Sequence, residues 1–468
     1  MSPPPATQHG RIDANLLQLG LVLVLGIVMS MLDTTIVNVA LSTLGRELDA
    51  GLATTQWVVT GYMLALAVVI PATGWLTDRF GAKRLFVLGV TLFTAGSGLC
   101  AASWDAGSLI TFRVAQGAAG ALLMPVAQTI LARAAGPDRM GRVMTLVGVP
   151  ALLAPVLGPV AGGLIVDHLP WRWIFLINLP VGVASVLISI HRLPADPPRS
   201  QGGQRFDFGG LALLGPGLAL LVYGLSQAGH TGTFSALGVW GPMAGGALLV
   251  ALFVGYARRR GERALIPLAY FRDRAFAGAG AVGIMISVSV FGVMLLLPLY
   301  YQQVQHHSAL AAGLLLAPQG LGTAVSMPIA GMLTDRVGPR RVVVTGMALI
   351  ALGTLVLTQL PDGMPGWAAA LALIVRGLGF GAAMMPAMAA GYRNLPASAA
   401  GHGSSVLQIF SRLGGTIGAA LMAVILTHTG DFGTAFWWAT AITAAGALCA
   451  LLLPGGTASA RNQPKEQQ

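Results

Sequence analysis

Stretches of about 20 apolar residues follow one another along almost the whole chain, separated by short loops. Each is long enough to cross the roughly 30 Å hydrocarbon core of a bilayer as a helix. Lipid offers a backbone no hydrogen-bond partners, so runs of this length predict α-helices that satisfy their own peptide groups. They lie near 16–40, 54–75, 84–102, 108–132, 141–166 and 173–190, then 209–227 and 236–256, then 276–301, 310–333, 342–359, 367–391, 400–426 and 433–453. The prediction is an all-α integral membrane protein of 14 transmembrane helices, ordered six, two, six. With 55% hydrophobic residues, 9% charged residues and a mean hydropathy of +0.75, no large soluble domain has room.

Seven segments follow. A disordered cytoplasmic tail (1–15) precedes an N-terminal six-helix bundle (16–191) and a cytoplasmic linker rich in Pro, Gly and Arg (192–208). Two inserted helices (209–257) and a basic linker (258–274) lead to a C-terminal six-helix bundle (275–454) and a tail (455–468). The N-terminal tail enters its apolar run without a small-residue cleavage signal, so no cleaved leader is expected.

The net charge of +11 does not mark a nucleic-acid binder, because the basic residues sit in short clusters between apolar runs. With both termini cytoplasmic, 22 of the 27 Lys and Arg fall in inner loops and tails, 2 in outer loops and 3 inside spans. That sorting is the positive-inside pattern, and it fixes the expected orientation. Cys100 and Cys449 both fall within spans and read as small apolar residues, not as a disulfide or metal pair.

An internal repeat divides the chain. Gly74-Trp75-Leu76-Thr77-Asp78-Arg79-Phe80-Gly81-Ala82-Lys83-Arg84 returns as Gly331-Met332-Leu333-Thr334-Asp335-Arg336-Val337-Gly338-Pro339-Arg340-Arg341, each copy joining the second and third spans of its half. Glycines permit a tight inter-helix turn, Asp78 can face a neighbouring helix N-terminus, and the basic residues can anchor at anionic headgroups. The plainer reading is a generic positive-inside turn, which the recurrence at Asp335 disfavours. Parallel repeated halves imply a substrate path at their interface near mid-membrane.

Asp33 is the one acidic residue well inside a span, and an intramembrane carboxylate is a functional-site hypothesis by default. Arg113, early in the fourth span, lies at a similar depth and can pair with it. Either Asp33 is a proton-coupling carboxylate or the two form a permanent structural salt bridge. Arg113, Gln116, Gly117, Gly120 and Ala121 share one helix face, as polar cavity groups or as a close helix contact. Pro150, Pro155 and Pro159, with Gly158, Gly162 and Gly163, give the fifth span a smooth, bendable packing face. Arg376, Gln408 and Arg412 either line the cavity or pair with helix ends and carbonyls.

At these residues the chain resembles the major facilitator superfamily, and within it the fourteen-span drug/proton antiporter branch of quaternary-ammonium and multidrug resistance pumps. The likeness covers about residues 16 to 453. It rests on Leu32-Asp33-Thr34-Thr35-Ile36-Val37-Asn38-Val39-Ala40-Leu41, the Asp78 loop, Arg113 with Gln116-Gly117, the Ala154 to Gly163 stretch, and Trp171-Arg172-Trp173-Ile174-Phe175-Leu176-Ile177-Asn178. Ala154 stands where that family usually has a leading glycine, and Ser42 where it usually has proline.

The resemblance implies two six-helix bundles rocking in alternating access. Asp33 is then the proton-coupling site with Arg113 its partner, and the stretch containing Pro155, Gly158, Pro159, Gly162 and Gly163 marks an exporter. Asn38, Gln116, Arg376, Gln408 and Arg412 are the expected cavity residues. Gly74, Asp78, Arg79, Gly81, Arg84, Gly331, Asp335, Arg336 and Gly338 are the expected gating loops.

The expected activity is proton-driven export of lipophilic, drug-like or secondary-metabolite molecules by a monomer in the cell membrane. Its partners would be substrate, protons and the lipid bilayer, with no nucleic acid, cofactor or metal. No extra carboxylates occur in the second-half spans, which predicts neutral, zwitterionic or monocationic substrates. Proton-coupled uptake, or a membrane sensor or enzyme that transports nothing, are the alternatives. The sequence offers no ATP-binding loop, nucleophile elbow or His-rich metal cluster to favour the last.

Overall fold

The computed structural model describes residues 14–135, 158, 161–196, 205–361, 363–393, 395, 399–451 and 453. Among these residues the chain is helical, with no strand. Thirteen helices are long and apolar enough to cross a membrane. They follow thirteen of the expected runs in order; the fourteenth run, 141–166, falls mostly outside the described residues.

The first span is α1 (Ala14–Val39), followed by a short α2 (Leu41–Glu47). The second is α3 (Leu52–Val69), a 3-10 turn at Ile70–Ala72 and α4 (Thr73–Phe80). Then come α5 (Ala82–Ala101), α6 (Ala106–Ala135), α7 (Trp173–Leu176) and α8 (Asn178–Arg192). The inserted pair is α9 (Phe208–Thr231) and α10 (Leu237–Arg260). The second half holds α11 (Arg274–Gln303), α12 (Ala309–Leu315), α13 (Ala317–Val337), α14 (Pro339–Leu357), α15 (Gly366–Tyr392), α16 (Ala400–Thr429) and α17 (Phe432–Ala450).

The repeat is architectural. In the first half α3 and α5 pack on α6, α5 and α1 pack on α8, and α1 meets α6. In the second half α13 and α14 pack on α15, α14 and α11 pack on α17, and α11 meets α15. These are the same five pairings. The two loop copies also share a backbone: Gly81 has φ +93° and ψ 146°, Gly338 φ +85° and ψ 155°. Each amide donates to the carbonyl of the repeat threonine, at 2.9 Å to Thr77 and 3.0 Å to Thr334. Only glycine holds that conformation without strain, which is why both copies carry one there.

One expectation needs correction. Gly74 to Arg84 is mostly not a loop, because the helix runs through Asp78 and Arg79 to Phe80 and the chain reverses at Gly81 alone. Thr77, Asp78 and Arg79 lie within α4, whose end is closed by the Gly81 amide on the Thr77 carbonyl. Beyond the turn, Asp196 holds the start of α5, its carboxylate accepting from the amides of Lys83 (2.9 Å) and Arg84 (3.2 Å).

The inserted pair has a definite seat. α9 packs against both α3 and α16, so it touches both halves, while α10 packs mainly on α9. Buried Asp207 caps α9 through the Gly210 amide (3.0 Å) and also accepts from the Tyr256 hydroxyl (2.6 Å) and the Leu265 amide (2.9 Å). That staple ties the start of α9 to the end of α10 and to the linker beyond.

Candidate functional site

Asp33 lies in the last third of α1 and is wholly buried. Its Oδ2 accepts from Arg113 Nη1 at 2.6 Å; its Oδ1 accepts from Gln116 Nε2 at 3.2 Å and Asn178 Nδ2 at 3.0 Å. A buried charge survives in a low-dielectric interior only when paired and hydrogen-bonded, and three donors from α6 and α8 meet that demand.

Arg113 is held from every side but one. Its Nε donates to the Val58 carbonyl at 3.2 Å and its Nη1 also reaches Gln116 Oε1 at 2.7 Å. Its guanidinium carbon lies 4.2 Å from the centroid of the Tyr62 ring, a cation–π contact. Nη2 has no acceptor among the described residues. Gly117 and Gly120 on the same face of α6 let α3 approach so closely that a side chain at either would strike Tyr62. The small residues of the fourth span thus position the ring that covers the ion pair.

Three participants carry no separate signal in the sequence: Asn178, Tyr62 and Ser97. Asn178 bridges Asp33 to Ser97 Oγ (3.0 Å), and that hydroxyl donates to the Phe175 carbonyl (3.0 Å). Asn178 is visible in the sequence only as the polar end of the aromatic run 171–178; nothing marks Tyr62 or Ser97.

The fifth-span residues reach this site where they are described. A side chain on Gly158 would collide with Thr35, and one on Gly162 would press on Ile36 and Val39, so both face α1 next to Asp33. Gly163 faces open space. Pro155 and Pro159 lie outside the described residues.

At the end carrying the Asp78 turn, the halves touch. Thr73 bonds Ser405 at 2.6 Å, Thr129 bonds Ser404 at 3.0 Å, and Gln128 meets Tyr392 at 3.5 Å. Asp78 accepts from Arg133 of its own half at 3.0 Å and lies 3.4 Å from His402 in the first turn of α16. Asp78 thus meets the first turn of α16 through the His402 ring. A side chain on Gly74 would come within 2.9 Å of the His402 backbone, so helix contact here is close.

The other expected residues divide. Arg376 is wholly buried, but its partners are neutral: Thr354 Oγ1 (3.2 Å), Gln319 Oε1 (2.6 Å) and the carbonyls of Ser289 (3.0 Å) and Val290 (3.4 Å). It occupies the place in the second half that Arg113 has in the first, without the carboxylate. Gln408 is buried and Arg412 half-buried on the α16 face that meets the first half. Asn38 is exposed near the end of α1, apart from the cluster. Arg79, Arg84 and Arg336 are exposed and Gly331 is buried; the Asp335 side chain lies outside the described residues.

This arrangement provides a carboxylate buried inside one half, and a seam between halves that is closed at one end. Residues 23–272 and 279–468 match the family model described as Major Facilitator Superfamily. The chain is 43% identical over 422 residues to the Multidrug resistance protein B homolog of Mycobacterium tuberculosis, covering 89% of this chain and 77% of that protein. It is 32% identical over 423 residues to the Putative multidrug resistance protein MdtD of Cronobacter sakazakii, covering 88% of each. The fold is similar to the human organic anion transporter MFSD10 (TM-score 0.68, 15% identity, 94% of this chain and 100% of that one). It is also similar to the proton:xylose symporter XylE (TM-score 0.67, 14% identity, 93% and 95%).

Proposed function

The chain belongs to the Major Facilitator Superfamily and is a multi-pass transporter of the cell membrane, not an enzyme; from that premise we propose that it exports lipophilic small molecules in exchange for protons. The observation that carries this reading is the enclosure of Asp33. A carboxylate bonded at once to Arg113, Gln116 and Asn178 joins α1, α6 and α8 while ionised. A proton on that carboxylate removes its attraction for the guanidinium and turns one acceptor into a donor. The same residues then favour a different packing, so the proton biases a two-state element.

The seam supplies the second state. The hydrogen bonds between halves at Thr73, Thr129 and Gln128 close one end, and alternating access requires them to break while the opposite end closes. With the basic loops cytoplasmic, both termini lie in the cytoplasm and the closed end faces inward. The relatives named for multidrug resistance support drug-like substrates, and the glycine face at Gly158 and Gly162 beside α1 supports the export direction. The fourteenth span, the monomeric state and the absence of any cofactor belong to the same proposal.

The test is transport in inverted vesicles under an imposed pH gradient. Accumulation of a lipophilic fluorescent compound that collapses when a proton ionophore is added is the expected result. Movement that ignores the gradient, or a protein that moves no lipophilic compound at all, would remove proton-driven export.

A further inference from the structure

Four charged side chains lie deep within the described spans: Asp33, Arg113, Arg376 and Arg412. One carboxylate stands against three guanidiniums. Asp33 and Arg113 neutralise each other at 2.6 Å. Arg376 gives Nε, Nη1 and Nη2 to fixed neutral acceptors and has little left to offer. Arg412 differs. Its carbonyl accepts from Thr416, but among the described residues its guanidinium has no hydrogen-bond or ion-pair partner. The undescribed fifth span brings no counter-charge, because residues 143–165 contain no Asp or Glu.

Position gives this cation a role. Gly401, Ser404, Ser405, Gln408 and Arg412 recur at helical spacing on one face of α16. The near end of that stripe is the seam itself, where Ser404 bonds Thr129 and Ser405 bonds Thr73. Arg412 lies two turns further on, about 10 Å along the axis from Ser405, still facing the first half. There it is within electrostatic reach of Tyr62, whose ring lies against Arg113. An unpaired guanidinium is expensive inside a membrane, and groups of this kind face a water-filled path or a ligand.

Resting on the transporter reading above, we propose that Arg412, with the Gln408 amide one turn away, is the docking point for an anionic group on the transported molecule. The substrate class is then a lipophilic acid or a zwitterion that presents its acid to α16. A carboxylate, sulfonate or phenolate satisfies the planar guanidinium fork and supplies its missing counter-charge. A lipophilic cation would add like charge to an interior that already carries excess positive charge. This revises the expectation of neutral, zwitterionic or monocationic substrates: the zwitterions stay, the monocations lose their place because no second-half carboxylate partners them, and Arg412 adds anions.

The test uses three naphthalenes of similar shape and permanent charge state: naphthalene-2-sulfonate, the neutral 2-naphthalenesulfonamide and N,N,N-trimethyl-2-naphthylammonium. Equilibrium binding is measured to the full chain in lipid nanodiscs, for wild type, Arg412→Gln, Arg412→Lys and Gln408→Ala. The wild type is expected to prefer the sulfonate to the ammonium by at least about tenfold, and Arg412→Gln to lose that preference, matching the strength of a charge-assisted bond. Arg412→Lys should keep part of it, which separates loss of charge from loss of folding. Wild type that binds the ammonium as well as the sulfonate, or none of the three, overturns the assignment. So does an unchanged preference in a folded Arg412→Gln. Sulfonate preference without pH-driven movement in vesicles would leave the docking site standing and defeat proton coupling instead.

Discussion

Replacing Arg113 with leucine is expected to leave little folded protein in the membrane, and restoring neutrality with Asp33→Asn is expected to recover much of it. The ion pair is wholly buried at 2.6 Å and shut off from bulk solvent. Removing one member of such a pair typically costs about 3–5 kcal/mol because the other charge is stranded. That is a large part of the stability of an ordinary domain. The double variant has no stranded charge, and its introduced asparagine can still bond Gln116 and Asn178. Thermal unfolding of the purified single and double variants in detergent reads the difference directly. Equal destabilisation of both would mean that the shape of Arg113, packed on Tyr62, matters more than its charge.

Gly74→Val is expected to unlatch the closed end. A Cβ at residue 74 would lie 2.9 Å from backbone atoms of His402, and a backbone cannot swing aside as a long side chain can. Overpacking of this kind costs roughly 1–3 kcal/mol in the state that contains the contact. About 2 kcal/mol taken from the closed state shifts the balance between open and closed roughly thirtyfold. Cysteines at Thr73 and Ser405, whose hydroxyl oxygens are 2.6 Å apart, report that balance. The pair should cross-link readily with Gly74 in place and poorly in the Gly74→Val background, and transport should fall with the loss of cross-linking. Undiminished cross-linking would show that α4 and α16 are not held by this contact.

Much of the architecture was legible because lipid imposes one rule on every span. Apolar length gave the thirteen described spans within a few residues, and the repeated Gly74 and Gly331 segments announced the pairing pattern that the two halves share. The site was legible only where a single residue broke the pattern. Asp33 and Arg113 stood out as charges in apolar runs, and depth alone brought them together. Asn178 and Ser97 did not stand out, since one small polar residue in a helix is common and nothing in the spacing links residue 178 to residue 33. Tyr62 was equally silent, because its role comes from the close approach that Gly117 and Gly120 allow.

The Asp78 segment shows the other kind of limit. Its composition reads as a turn, yet helix geometry carries it into the span, and its partner His402 belongs to the other half. Contacts across the seam depend on which conformation the halves adopt, and a linear pattern of residues holds no record of that. The inserted helices are a similar case: their composition says only that they span, while the seat of α9 against α3 and α16 comes from packing.

Asp33→Asn, reconstituted beside wild type, tests the central claim most directly. Asparagine matches the size of the side chain and keeps a carbonyl oxygen that accepts from Arg113. The guanidinium is therefore not left without an acceptor, as the carboxylate is left without its donor in Arg113→Leu, but asparagine cannot carry a proton on and off. Substrate accumulation driven by an imposed pH gradient should vanish in the variant, while exchange of labelled for unlabelled substrate without a gradient continues. A variant that accumulates substrate against its gradient as well as wild type does would take Asp33 out of the coupling and leave the buried pair a structural one.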